Sequence, residues 1–170
     1  MKPDIGSIRD PRVQVFYALY WPQHQIILDF YARLTEEQYD YRMVDTPQRK
    51  ADTPRESLAH ILYVQRVYFE GVKTGKLEFR SMGTEHYREL PKEQLLAELE
   101  RIDGEMFTYL TAEGFDSNRT VDVFWGGSMN AIDTLFFLRD HDILHAGWNL
   151  ALMDHLNVPR YDSLIQYWGP

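Results

Sequence analysis

The sequence predicts an all-α fold of the four-helix-bundle type. Four long segments, 11–34, 54–75, 91–113 and 130–156, carry apolar residues at the spacing of a helix face. No segment with the alternating pattern of a β-strand has a second such segment to pair with. When a chain has no sheet, its helices bury their apolar faces against one another. Four long helices commonly do so as a four-helix bundle. We therefore expect a single domain over residues 1–170, a length sufficient for a sizeable core.

The first predicted helix, 11–34, has a clear apolar face and one irregularity. Pro22 removes a backbone donor inside it, so we expect a kink or a division into two helices. His24 follows the proline, roughly on the same face as Tyr20. The residues 35–37 then indicate a helix end and a short turn. The apolar face comprises Val15, Phe16, Leu19, Tyr20, Ile27, Leu28, Tyr31 and Leu34.

The second predicted helix begins at a strong sequence signal. The residues 40–53 are polar and are predicted to be a loop. Thr53-Pro54-Arg55-Glu56 then has the pattern of a capping box with proline at the first helical position. The helix is expected to end near Gly75, because glycine readily adopts the left-handed conformation that closes helices. His60 lies in the second turn, on the face predicted to point inward.

The second half of the chain supplies the two remaining helices. The polar connection 76–90 gives no clear prediction, and the third helix runs from Pro91 to Glu113. The segment 120–125 alternates like a strand, but a lone strand has nothing to pair with, so we predict an extended loop. The fourth helix, 130–156, ends before Asn157-Val158-Pro159.

Composition narrows the classes of function. The net charge of −8 argues against a nucleic-acid-binding surface. No window has the roughly 20 apolar residues of a membrane helix, and the N-terminus lacks the apolar core of a secretory signal. The absence of cysteine excludes disulfides, thiolate metal ligands and a thiol nucleophile of the protein's own. We expect a cytoplasmic, soluble protein without nucleic-acid or membrane partners that acts on a small molecule.

The fourth predicted helix carries a candidate metal site. His141 and His145 are separated by four residues, so their side chains lie on one face about a turn apart. Leu138, Trp148 and Leu152 share that face, which indicates that it points into the fold. The pair alone is equally consistent with ordinary core or cleft histidines.

A third imidazole is available from the second helix, where His60 lies on the inward face. Three neutral imidazoles would leave coordination positions open, as catalytic metal sites do. Zinc and nickel are the expected ions, because nitrogen ligands suit both.

Other helical metal motifs do not fit. In His141-Asp142-x-x-His145 an aspartate occupies the position of the water-activating glutamate of zinc proteases. No glutamate follows Glu113 to complete a protease ligand set. A di-iron bundle needs two Glu-x-x-His units, whereas here only Asp142-x-x-His145 has the spacing.

The pattern resembles that of the DinB/YfiT-like superfamily over nearly the whole chain. The similar features are the Tyr20-Trp21 pair, Ser57-x-x-His60, and the stretch from Leu138-Arg-Asp-His141 to Pro159. The resemblance implies that His60, His141 and His145 are metal ligands. Members commonly continue from the last ligand as His-Arg-Gly-Gln, whereas this chain has His145-Ala146-Gly147-Trp148. The departure leaves the ligands intact but removes any role that the arginine and glutamine serve.

The resemblance also implies a function. Several relatives are transferases or isomerases that use a low-molecular-weight thiol such as bacillithiol or mycothiol, so we expect a thiol-dependent S-transferase acting on small electrophiles. The open alternatives are a metal-dependent hydrolase and a non-catalytic stress protein that binds a metal or small molecule. Tyr20, His24 and Trp148 are expected to contact substrate, and a homodimer is expected. His155 lies about 15 Å beyond His145 by helix rise and is expected to be structural; His86 is expected to be exposed.

Overall fold

The computed structural model describes residues 3–79 and 83–169, and four long helices dominate it. A 3₁₀ turn at Ile5–Ser7 precedes them. The long helices are α1 (Pro11–Arg33), α3 (Pro54–Thr74), α5 (Lys92–Thr111) and α6 (Ala131–Leu156), and the short ones are α2 (Glu36–Tyr39), α4 (Glu85–Arg88) and α7 (Asp162–Trp168). The strands are β1 (Lys76–Leu77), β2 (Thr120–Val123) and β3 (Ser128–Asn130).

The long helices pack in the cyclic order α1, α6, α3, α5, with each contacting two neighbours. The core between them is rich in aromatic side chains from α1, including Phe16, Tyr20, Phe30 and Tyr31, each at most 1% exposed. Burying such large apolar surfaces provides most of the driving force for this arrangement. None of the helices in the described ranges is both long and apolar enough to cross a membrane.

The prediction of a purely helical fold was wrong in one respect, because the chain also forms a small three-stranded sheet. β1 pairs in parallel with β2, and β2 pairs antiparallel with β3. The segment 120–125, predicted to be a loop, therefore begins as the central strand of the sheet. Its partners escaped detection because they are only two and three residues long. One of them follows a turn at Gly126 and Gly127, whose φ angles of 101° and 82° suit glycine.

The helix boundaries follow the predicted signals closely. At α3, Thr53 Oγ1 accepts from the Glu56 amide at 3.2 Å and Glu56 Oε2 accepts from the Thr53 amide at 2.8 Å, so both halves of the capping box are formed. Gly75 ends the helix in the left-handed region at φ 84°. Pro91 is the N-cap of α5 rather than its first helical residue.

Three local details differ from the predictions or were not predicted. Pro22 does not divide the first helix, since α1 continues through it to Arg33. In place of the turn expected after this helix, the chain forms the short helix α2, which begins at its own capping box. The helices α4 and α7 were not predicted, because segments of four and seven residues carry too little periodicity to detect.

Candidate metal centre

Three histidine side chains converge between α3 and α6. His141 Nε2 lies 3.0 Å from His60 Nε2 and 3.2 Å from His145 Nε2. Each histidine offers one ring nitrogen as a ligand atom, and these three nitrogen atoms all lie within 4.8 Å of one another. All three rings are partly exposed, so the cluster is accessible from solvent. Divalent ions at imidazole sites bind at about 2.0–2.1 Å from each nitrogen, so small side-chain movements would admit one ion.

The local structure explains this convergence. His141 and His145 are one turn apart on α6, which directs both rings to the same side of the helix. α3 packs against α6, and His60 lies less than two turns after the capping box that fixes where α3 begins. The capping box and the helix contact together set the position of the third ring.

Two of the three histidines are held in the neutral form that binds metals. Burial, and then the neighbouring rings of His141 and His60, lower the pKa of His145 to about 3. Burial and the proximity of His141 also lower the pKa of His60. His60 and His145 are therefore neutral at physiological pH, and a neutral imidazole offers a lone pair to a metal.

A hydrogen bond orients the His145 ring. Ser57 Oγ lies 3.0 Å from His145 Nδ1, and the Tyr31 hydroxyl donates to the same serine oxygen at 2.9 Å. When Nδ1–H donates to Ser57, the lone pair of the ring is on Nε2, which faces the other two histidines. Such outer partners fix the tautomer and orientation of metal-binding histidines. In the sequence, Ser57 was notable only as part of the family pattern Ser57-x-x-His60, and this role was not predicted.

The Ser57→Ala variant is expected to bind zinc about 10–100-fold more weakly than the wild type, because His145 loses the acceptor that fixes its tautomer. Competition with a fluorescent zinc chelator measures the dissociation constant. Ser128→Ala, which changes an exposed serine in β3, is the matched control and should bind as the wild type does. An unchanged constant for Ser57→Ala would contradict this role of the serine.

Behind His141 lies a buried chain of charged groups. Asp142, which is 1% exposed, has Oδ1 at 3.9 Å from His141 Nδ1 and Oδ2 at 2.8 Å from His24 Nδ1. His24 Nε2 lies 2.9 Å from Asp103 Oδ2 on α5. Gln65 donates to Asp103 Oδ1, and Tyr20 donates to it at 3.4 Å. A line of polar groups therefore runs through the core from α5 to α6, the helix that carries His141 and His145.

The two carboxylates determine the charge of His24. Burial alone would lower the pKa of this fully enclosed imidazole, but the charges and hydrogen bonds of Asp103 and Asp142 raise it to about 10. Burial opposes ionisation of Asp142, yet its histidine neighbours lower the pKa of this carboxyl below its usual value. His24 is therefore a buried cation between two anions. The sequence did not single out Asp103, because its only signal is an acidic residue on the apolar side of a helix.

A surface cleft of about 300 Å³ adjoins the cluster. Trp148 and His145 line it together with Ser57, so Trp148 shares the cleft with one of the three clustered histidines. The other wall of the cleft is formed by the loop that precedes α3, through Arg49, Lys50, Ala51 and Asp52.

The other residues proposed for the site lie elsewhere. Tyr20 and His24 do not line this cleft; they are 1% and 0% exposed and have protein partners. Their contact with substrate remains a prediction. His86 and His155 are both exposed and lie outside the three-histidine cluster.

Comparison with known proteins points to one family. The model of the DinB superfamily matches residues 23–148, which is more than half of the chain and includes all three clustered histidines. No curated protein matches the sequence.

Three solved structures have a similar fold. A DinB-like protein from Bacillus cereus ATCC 10987 is 19% identical with a TM-score of 0.66, covering 86% of this chain and 95% of its own. A structure assigned to the DinB family from Exiguobacterium sibiricum 255-15 is 15% identical with a TM-score of 0.59, covering 91% and 98%. A DinB-like protein from Bacillus subtilis is 16% identical with a TM-score of 0.53, covering 85% and 93%. At these identities the likeness concerns the fold.

Proposed function

The chain belongs to the DinB superfamily, and from this premise we propose that it binds a divalent metal through His60, His141 and His145 and transfers a low-molecular-weight thiol to a small electrophile. The observation that carries the proposal is the convergence of three imidazole groups at the edge of a cleft. Zinc or nickel is the proposed ion, because nitrogen donors suit both.

The donor set fits such an ion. Two of the three histidines have lowered pKa values, and the Nε2 atoms of all three face one another. Three protein ligands leave room for a further ligand, as in catalytic rather than structural zinc sites. When bound, the ion supplies positive charge that lowers the pKa of a thiol or of a water molecule beside it.

The residues of the cleft would position the two substrates. Arg49 and Lys50 offer positive charge to the carboxylate groups of an anionic thiol, and the Trp148 ring offers an apolar surface to the electrophile. In the proposed reaction the thiol loses its proton to solvent, and its sulfur forms a bond to the electrophilic carbon. The leaving group departs with the electron pair of the broken bond. Ser57 keeps the His145 ring in place throughout.

Hydrolysis is the second candidate, favoured by the position of Asp52. This carboxylate lines the same cleft as His145 and could accept a proton from an attacking water molecule. Asp142 is unsuited to that task, because it is buried against His24 and away from the cleft. The two reactions therefore differ in their requirement for thiol and for Asp52.

The test measures turnover with 1-chloro-2,4-dinitrobenzene and with p-nitrophenyl acetate, each with and without bacillithiol or mycothiol. Zinc- and nickel-loaded protein is compared with chelated protein. Thiol-dependent loss of the aryl chloride that stops on chelation supports the transferase. Thiol-independent ester cleavage that stops on chelation and in Asp52→Asn supports the hydrolase. A large fall in melting temperature on chelation, without turnover of either substrate, overturns both in favour of a non-catalytic metal-binding protein.

A further inference from the structure

A second and larger cavity, of about 940 Å³, lies among α1, α3, α5 and the residues that precede α1. None of the clustered histidines lines it, and neither does Trp148. The volume lies within the range of pockets that hold drug-sized molecules. The proposed reaction at the metal centre makes no use of this cavity.

The wall of this cavity is largely aromatic. Its rings are those of Tyr17, Trp21, Phe69, Phe107 and Tyr109. Tyr17 and Phe107 meet edge to face at 5.2 Å, and Phe69 and Tyr109 do so at 5.8 Å. The negative faces of aromatic rings attract cations. One ring of the wall already demonstrates this, since Lys73 Nζ lies 4.9 Å from the centroid of Phe69.

The rim of the cavity carries an excess of negative charge. Its basic side chains are both engaged by acidic ones: Lys73 binds Glu70 at 3.0 Å, and Arg101 binds Glu98 at 2.7 Å and also Glu105. Asp4 adds a further carboxylate to the rim. Among the side chains that line the cavity, three are acidic (Asp4, Asp103 and Glu105) and two are basic, and the basic ones are paired with Glu70 and Glu98, which are not lining residues. A ligand with positive charge complements this balance.

The wall also contains an unsatisfied polar atom. The Tyr17 hydroxyl is enclosed, and it has no hydrogen-bond partner within residues 3–79 and 83–169. A buried hydroxyl without a partner costs free energy. A ligand that reached this oxygen with an N–H donor would remove that cost.

We propose that this cavity is a binding site for a small organic cation with an aromatic or alkyl body and one ammonium group. The body lies against the aromatic wall, and the ammonium group lies toward the acidic rim. The site is separate from the metal centre, so ligand binding does not require a bound metal.

The test uses three probes with the same ring and different charge: 1-naphthylmethylamine, 1-naphthalenemethanol and 1-naphthoate. Calorimetric titration of the full chain at pH 7 gives their dissociation constants. The amine is expected to bind about tenfold more tightly than the alcohol and more tightly still than the carboxylate. Replacing Asp4 by Asn together with Glu105 by Gln should reduce the preference for the amine. The His145→Ala variant should bind the amine as the wild type does.

Gly104 provides a variant that blocks the cavity. It lines the cavity within α5, and a Cβ added there meets no heavy atom within 4 Å. Gly104→Leu should fold, since leucine favours helix more than glycine does, and it should weaken amine binding at least about tenfold. Gly147→Leu, an equally open helical glycine outside this cavity, should leave binding unchanged. Equal affinity for the three probes, no saturable binding, or full binding to Gly104→Leu would overturn the proposal.

Discussion

The His145→Ala variant is expected to lose stoichiometric zinc and nickel binding. Removal of this ring leaves only two imidazoles at the point where three converge. Metal affinity should fall by more than the roughly 10–100-fold expected when a hydrogen-bond partner of a ligand is replaced, because here a ligand itself is removed. Equilibrium dialysis followed by elemental analysis gives the metal content, and competition with a fluorescent chelator gives the dissociation constant.

His155→Ala is the matched control for this experiment. It removes an exposed histidine from the same helix, ten residues further along and outside the cluster, and should retain the wild-type metal content. Both variants should have melting temperatures close to that of the wild type without metal, since both rings are at least partly exposed. If His145→Ala held one equivalent of metal at unchanged affinity, this residue would be removed from the ligand set.

The second large effect is expected from His24→Ala, which should reduce the free energy of unfolding by about 3–5 kcal/mol at pH 7. His24 is the cation between Asp103 and Asp142, at 2.9 Å and 2.8 Å from their carboxylate oxygens. Its removal leaves two buried carboxylates that repel each other and have lost their shared partner. Urea denaturation of the metal-free protein measures the change, with His86→Ala as the control because that histidine is exposed.

The pH dependence of stability provides an independent signature of His24. Its pKa is about 10 in the folded protein and about 6.5 in the unfolded chain. Between these values the folded state binds the proton and the unfolded state does not, so the free energy of unfolding falls as the pH rises. The contribution is complete below about pH 6.5 and decreases toward pH 10.

The slope of stability between pH 7 and pH 9 should therefore be negative in the wild type and markedly flatter in His24→Ala. His86→Ala should keep the wild-type slope. A His24→Ala variant that retains both the wild-type stability and the wild-type slope would show that the buried histidine carries no charge.

Much of the candidate site was predictable from sequence, because its geometry arises from local rules. The spacing of His141 and His145 places them on one helix face whatever surrounds the helix. The capping box at Thr53 fixes where α3 starts, and hence on which side of it His60 lies. The remaining requirement, that α3 packs against α6, is met in the structure, but apolar faces alone do not determine which helices become neighbours.

The buried charge chain was not predictable in the same way. Asp103 lies on the apolar side of α5 by its spacing from Leu99 and Met106, but that spacing does not reveal which residue it meets there. It matters because α1 and α5 pack so that His24 reaches it, a contact between residues 79 positions apart. The prediction that His24 contacts substrate used its inward orientation, but orientation does not reveal which carboxylates meet it there.

The four long helices, most of their ends and the three histidines could be identified from the sequence, because helix periodicity, capping and four-residue spacing act over a few neighbouring residues. Three features became visible only in the folded protein: the pairing of β1 and β3 with β2, the ion pairs of His24, and the large aromatic cavity among α1, α3 and α5. These features depend on contacts between residues far apart in the chain. Their partners become defined only when the helices have packed.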